Sequence, residues 1–377
     1  MTGSGPAGAI GGYGAGAAGA MAIELCIAEG FALAGVCRAE PSSQGAEFDA
    51  WLAAGKHGSM SYLAKDAAKR KNALLELATA RSVVMVGLQY AERGEPAAGA
   101  TAQPMGQVAR YARGEDYHEL IKQRLRRVTA VLAERFPGAE FRKFVDNSPF
   151  MEREHAVRAG LGWTGKHTLV IHPQNGSYFA LGGFLTSIEM TPPAAQRAVA
   201  DACGTCTRCI DACPTGAIEP YKVDGSRCIA YLTIERREMV PDELRRQMGD
   251  WIFGCDICQE VCPHNGPSKG HKGLANRDGT RDRDVSDRIA SVPLLDLLGW
   301  TPADRAARLR DTAMKRARLE MLRRNAVIAL GNWLLTHDDP AAKARLTEVA
   351  ADGGEHSSVR ETAAAVLADL KENGRGV

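Results

Sequence analysis

No lysine or arginine precedes Arg38, so the N-terminus lacks the basic start of a secretory signal and has no twin-arginine pair. No apolar run reaches the roughly 18 residues of a membrane-spanning helix, so no membrane partner is expected. A Gly-x4-Gly-Lys-Ser/Thr segment is missing as well, which leaves no phosphate-binding loop of that type. Aromatics are 6% of the chain and the formal net charge is +2, so the molecule as a whole does not advertise a nucleic-acid partner. These absences point to a cytoplasmic protein, and a monomer is expected.

Glycine is abundant at the start. "MTGSGPAGAIGGYGAGAAGA" contains Gly3-x-Gly5-x-x-Gly8 and Gly14-x-Gly16-x-x-Gly19, each formally a dinucleotide fingerprint. Neither follows a hydrophobic strand, which such a fingerprint requires. Residues 1–20 therefore read as a flexible Gly/Ala-rich tail, with Met21 as an alternative start.

From Met21, "MAIELCIAEGFALAGVC" predicts a short amphipathic helix running into a strand, and "ARSVVMVGLQYA" at 80–91 predicts a buried strand rich in β-branched residues. The charged stretch between them, including "SYLAKDAAKRKNALLELATA", reads as helical. "YHELIKQRLRRVTAVLAERF" at 117–136 repeats apolar residues at helical spacing and stops before Pro137-Gly138. "EFRKFVD" is extended up to Asp146. "SPFMEREHAVRAG" predicts a helix capped by Ser148, with Pro149 in its first position and Gly160 past its end. "HTLVIHP" and "SYFALGGFLTSIEM" read as further strands, so the first half of the chain is an α+β domain. A Gly- and charge-rich connector, 266–284, predicts surface loop. Beyond it "ARLEMLRRNAVIALGNWLL" and "SVRETAAAVLADLKENG" suggest a helical HEAT-like module.

Ten cysteines stand against those absences, and eight of them lie between Cys203 and Cys262. Cys26 and Cys37 sit apart in an apolar stretch and read as buried small hydrophobes. "CGTCTRCIDACPTG" at 203–216 has the Cys-x2-Cys-x2-Cys-x3-Cys-Pro spacing of bacterial ferredoxins, in which the fourth thiolate ligates the other cluster. "GCDICQEVCPHN" at 254–265 is one cysteine short of that pattern, and Cys228 completes the count. The expected assignment is Cys203, Cys206, Cys209 and Cys262 on one [4Fe-4S] cluster, with Cys213, Cys228, Cys255 and Cys258 on the other. Paired structural zinc sites also use Cys-x2-Cys, but the third and fourth cysteines followed by proline suit them poorly. Two fully ligated clusters conduct electrons, so another group must do the chemistry. "DYHELI" at 116–121 comes near a corrinoid Asp-x-His-x-x-Gly signature, but Ile121 replaces the glycine; His118 accordingly reads as a helix-surface or packed histidine.

The blocks "RYARGEDYH" at 110–118 and "DNSPFMEREHAVRAGLGWTGKHTL" at 146–169, with the cysteine layout and "RRNAVIALGNW" at 323–333, together resemble the epoxyqueuosine reductase family over roughly 21–370. The resemblance implies a cobalamin-dependent oxidoreductase in which the clusters reduce cobalamin and the epoxide of epoxyqueuosine at the tRNA wobble position becomes queuosine. It implies a cobalamin-binding catalytic domain at 21–197, a ferredoxin-like domain at 198–272, and a linker with the helical module at 273–377. Asp146 matches the family's proton donor; partial burial beside Phe144, Val145 and Phe150 is expected to raise its pKa. Arg70, Asp146, Trp163, Lys166, His167 and Val170 are the implied cobalamin contacts, with the glycines of "AGLGWTG" allowing close approach to the corrin. Gly183 departs from the family, which often has an acid there.

Charge distribution bears on the RNA. Between Asp304 and Asn325 eight Lys/Arg face three Asp/Glu. Arg236, Arg237, Lys315, Arg316, Arg323 and Arg324 are the candidate tRNA contacts, as backbone-phosphate partners. An external low-potential electron donor completes the expectation. A corrinoid reductive dehalogenase and a non-catalytic ferredoxin-type carrier are the alternative readings.

Overall fold

The computed structural model describes residues 13–94, 102–146, 148–266, 281–282, 284–285 and 287–374. Helix α1, Ala15–Ala28, starts inside the stretch read as a tail. The reason lies at Gly19, where a Cβ would sit 2.4 Å from the Thr191 carbonyl oxygen. Glycine lets α1 lie against that backbone and bury Ala18, Ala22 and Cys26 in the core.

The chain continues through β1 (Leu33–Arg38), β2 (Ser82–Gln89) and β3 (Met105–Val108) to helix α2 (Tyr117–Arg135) and β4 (Phe141–Phe144). After helix α3 (Glu152–Arg158) come the two-residue strands β5 (Trp163–Thr164) and β6 (Val170–Ile171), then β7 (Phe179–Thr186). An antiparallel sheet of order β1-β2-β7-β4 forms the centre. Every residue of β2 is buried, because its alternating side chains enter two cores. Val84, Val86 and Leu88 meet Ala22 and Ile121 of α1 and α2, while Val83 and Met85 meet Ala156 and Leu161 on the other face. The stretch read as helical between β1 and β2 is helical in short pieces: a nine-residue helix, Gly45–Ala53, then Ser61–Lys65 and Ala67–Lys71, and a tighter turn at Ala73–Leu75.

α2 begins where expected. The Asp116 side chain caps it by accepting from the His118 amide at 3.1 Å. α3 starts at Glu152, later than a Ser148 cap would place it. The preceding backbone instead turns sharply at Asp146, with φ at +50°, and the Asp146 amide donates to Glu152 Oε1 at 2.7 Å.

The cysteine-bearing segment follows, with α4 (Ile229–Ile234) and β8 (Trp251–Phe253), and then β9 (Ser291–Pro293). β3 pairs in parallel with β8 and antiparallel with β9, so one short strand joins three parts of the chain. Most of the connector at 266–284 lies outside the described residues. The last helices are α5 (Leu319–Leu334), α6 (Pro340–Ala351) and α7 (Ser357–Glu372), with α7 packed on both others. No helix among the described residues is long and apolar enough to cross a membrane. The architecture is α+β.

Candidate active site and cluster cavities

The eight clustered cysteines divide between two cavities. Cys203, Cys206, Cys209 and Cys262 line one of 170 Å³. Cys213, Cys228, Cys255 and Cys258 line a larger one of 380 Å³, whose remaining wall is largely apolar and aromatic, including Tyr90, Tyr111 and Phe179. Among the described residues no three His, Cys, Asp or Glu side chains converge as a single metal ion would require. Each quartet instead borders a space, which suits a group with volume of its own. Cys26 and Cys37 are buried elsewhere, and burial pushes both thiols up to about 12; these are inert packing residues.

Asp146 lies on the same larger cavity as the second quartet. Its strained turn presents the carboxylate to the cavity, with 54% of the side chain accessible. Tyr117 Oη donates to Asp146 Oδ2 at 3.0 Å, and His118 Nε2 lies 3.5 Å from the same oxygen. His118 Nδ1 donates to Asp116 Oδ1 at 2.7 Å, and Lys315 Nζ pairs with Asp116 Oδ2 at 2.7 Å. His118 is therefore a member of the site and not a surface residue. The signal for it was the cap: an aspartate at the N-cap sets the next two side chains, Tyr117 and His118, at the helix end where loops converge.

The electrostatics reverse one expectation. The His118 hydrogen bond, outweighing the opposing effect of burial and aided by Tyr117, holds the Asp146 carboxyl below the usual carboxylate range. Burial disfavours a charged His118 ring, but the bonds to Asp116 and Asp146 prevail and raise it to about 9. Burial, and then the Asp146 charge, push Glu152 up to about 8. At neutral pH the protons of this corner thus sit on His118 and Glu152 while Asp146 is ionised.

Comparison with known proteins fits this arrangement. Residues 70–147 match the model of the epoxyqueuosine reductase QueG family, and 202–265 match a 4Fe-4S double cluster binding domain. The chain is 35% identical to the epoxyqueuosine reductase of Escherichia coli K12, across 91% of this chain and 87% of that one. It is 37% identical to that of Shewanella oneidensis, across 80% and 76%.

The chain belongs to the epoxyqueuosine reductase family.

It is accordingly an oxidoreductase. A solved selenomethionine-labelled epoxyqueuosine reductase superposes with TM-score 0.78 at 28% identity, over 93% of this chain and 92% of that one. Another, solved with an epoxyqueuosine-modified tRNA-Tyr stem loop, gives 0.77 at 27%, with the same coverage.

Against the family's expected cofactor contacts, this chain separates the candidates. His167 and Val170 border the large cavity; Arg70, Trp163 and Lys166 do not. Trp163 packs with Ile171 and Cys262 and meets the His264 ring edge-on at 4.9 Å. Lys166 Nζ donates to the carbonyls of Gly204 and Cys206, bracing the first cysteine loop. The Arg70 guanidinium stands 5.8 Å over the Tyr62 ring. The glycines of "AGLGWTG" serve the local turn: a Cβ on Gly162, at φ +151°, would lie 2.2 Å from the Ile171 carbonyl oxygen. Gly183 sits inside β7, where a Cβ would lie 2.2 Å from the Val84 carbonyl oxygen, so no acid fits there.

His167 borders both cavities. Its Nδ1 accepts from the Leu169 amide at 3.2 Å, which leaves Nε2 as the N–H, buried and without a partner. Burial lowers its pKa to about 4, so the ring is neutral. Arg110, from the "RYARGEDYH" block, ties this corner to the cluster segment: its amide donates to Asp256 Oδ2 at 2.7 Å and its guanidinium to Glu260 at 3.1 Å.

Among the basic residues assigned to tRNA, Arg324 needs correction. It is 0% exposed and donates to the carbonyl oxygens of Leu232, Arg236 and Glu238. Its charge is spent on backbone that no helix or strand satisfies. Arg237 is exposed, Lys315 pairs with Asp116, Arg316 with Glu235, Arg323 with Glu355, and Arg236 donates to the Met239 carbonyl.

Proposed function

We propose that this chain reduces the epoxide of epoxyqueuosine to queuosine at the wobble position of tRNA, using cobalamin and two [4Fe-4S] clusters. One observation carries the reading: the second cysteine quartet and Asp146 border one large, mostly apolar cavity. Cobalamin bound there supplies the low-valent cobalt chemistry of epoxide reduction. The walls fit such a group. Val170, Tyr111 and Phe179 offer apolar surface, and His167 Nε2 is a buried donor awaiting an acceptor.

Loss of the epoxide oxygen as water takes two electrons and two protons. Cys203, Cys206, Cys209 and Cys262 hold the cluster that receives electrons from an external low-potential donor. Cys213, Cys228, Cys255 and Cys258 hold the one beside the cavity. Asp146 hands a proton to the departing oxygen from its exposed face, and Tyr117 orients the carboxyl. Residues 198–272 are the ferredoxin-like unit, the part up to 197 with α1 is the cofactor unit, and 273–377 is a linker with a HEAT-like module. Arg236, Arg237, Lys315, Arg316 and Arg323 contact the tRNA backbone, and the protein acts as a monomer in the cytoplasm.

The test is mass spectrometry of wobble nucleosides. tRNA from a strain lacking this gene must accumulate the epoxide, and the purified, reconstituted protein must convert that tRNA to queuosine. Persistence of queuosine in the deletion strain would sink the assignment.

A further inference from the structure

Asp146 has to deliver a proton, yet in the resting structure it is a carboxylate. Its only imidazole neighbour among the described contacts is His118, with Nε2 3.5 Å from Asp146 Oδ2. The other face of that ring is fixed by Asp116 Oδ1 at 2.7 Å, and Asp116 is itself braced by Lys315 at 2.7 Å. We infer that His118 stores the proton that Asp146 delivers and recharges the carboxyl from Nε2, with Asp116 and Lys315 holding the ring in the tautomer that permits it.

The inference rests on the epoxide-reductase reading. In each turnover the His118 Nε2–H bond breaks and an Asp146 Oδ2–H bond forms. Asp146 then passes that proton to the departing oxygen. The ring is left neutral with its proton on Nδ1, facing Asp116, and regains one at Nε2 from water, which reaches the 23% of the side chain that is accessible. The second proton comes from solvent, and both electrons come from the low-potential donor through the clusters.

The charges around the ring favour this cycle. From its own helix Asp116 contacts it directly, and Glu119 lies nearby. From the turn after β4 comes Asp146, with Glu152 behind it and Tyr111 and Tyr117 alongside. From the segment 313–316 come Lys315, paired with Asp116, and Arg316, paired with Glu235, each side chain about half accessible. The net effect keeps the ring protonated up to about 9, so the reservoir is filled at neutral pH. Asp116 is a poor substitute, because Lys315 and His118 together hold it ionised.

The experiment uses reconstituted holoenzyme, a chemical reductant and an epoxyqueuosine stem-loop RNA. Wild-type kcat should fall above about pH 9; His118→Asn should lower kcat about 100-fold with KM for the RNA unchanged, and should remove that fall. Imidazole should restore part of the rate to His118→Ala. Equal losses in kcat and affinity with the wild-type pH profile would reduce His118 to a structural role. Histidine NMR of the oxidised holoenzyme tests the reservoir without turnover. The His118 signal should titrate near 9 and fall towards 6.5 in Asp146→Asn. A wild-type signal near 6.5 overturns the proposal even if the enzyme is active, whereas an inactive wild type with a signal near 9 faults the substrate assignment alone.

Discussion

The side-chain oxygen of Asn265 accepts a 2.7 Å hydrogen bond from the Ser177 amide, and its Nδ2 returns one to Ser177 Oγ at 2.8 Å. Both residues are 3% exposed. Asn265 follows the last cluster cysteine and Ser177 leads into β7, so this pair fastens the iron-binding segment to the catalytic sheet. Gln259 adds a third bond, from its Nε2 to the Ser177 carbonyl at 3.0 Å. Asn265→Ala leaves the buried Ser177 amide without its acceptor and removes donors from the Ser177 hydroxyl, which keeps Gln259 Nε2 at 3.0 Å, and from the Gln259 carbonyl; it should cost about 2–4 kcal/mol. Urea unfolding checks this; a loss under 1 kcal/mol would mean the fastening lies elsewhere.

Arg324→Met should destabilise the fold by about 3–5 kcal/mol, because the buried Leu232 carbonyl and the partly buried Arg236 and Glu238 carbonyls lose their charged donor. At temperatures where the variant stays folded, its RNA affinity should equal that of wild type. A variant of normal stability with weak RNA binding would restore Arg324 to the interface.

Cys228→Ala should leave one complete cysteine quartet. Iron analysis after anaerobic reconstitution should fall from about eight atoms per chain towards about four. Undiminished iron would mean that Cys228 is no ligand.

Asp146→Asn keeps the shape of the turn and removes the acid. Turnover should drop at least about 100-fold while cobalamin uptake, read from the visible spectrum, persists. Full activity would remove Asp146 from proton delivery.

Stability should fall between pH 6.5 and about 9. His118 has a folded pKa raised from 6.5 to about 9, so its contribution is complete below 6.5 and is lost as pH rises through 9. Glu152, raised from 4.5 to about 8, acts in the same direction. The depressed carboxyls of Asp116 and Asp146 act oppositely, adding stability above the usual carboxylate range and losing it in acid. The urea midpoint measured across this window should decline, and His118→Asn should flatten the decline; a rising midpoint would contradict these shifts.

Periodicity exposed β2 and α2, because their side chains alternate between cores or face one. Spacing divided the cysteines into the quartets that border separate cavities, since turn length governs how far neighbouring thiols can spread. The surroundings of Asp146 were not legible, because they depend on a helix end, a left-handed turn and the segment 313–316 meeting from distant parts of the chain. Arg324 misled for the same reason. A basic run looks solvated until three carbonyls far away in sequence claim one of its members. Trp163 and Lys166 share a loop with His167 and Val170 but lie on the side facing the first cysteine quartet, a choice made by the β5–β6 hairpin and not by composition.

β3 is four residues long and is held on one edge by the cluster segment and on the other by β9. It also leads straight into Arg110, Tyr111 and the Asp116 cap. The cysteine-bearing segment and the Asp116 cap are therefore a single mechanical piece, joined through that one strand.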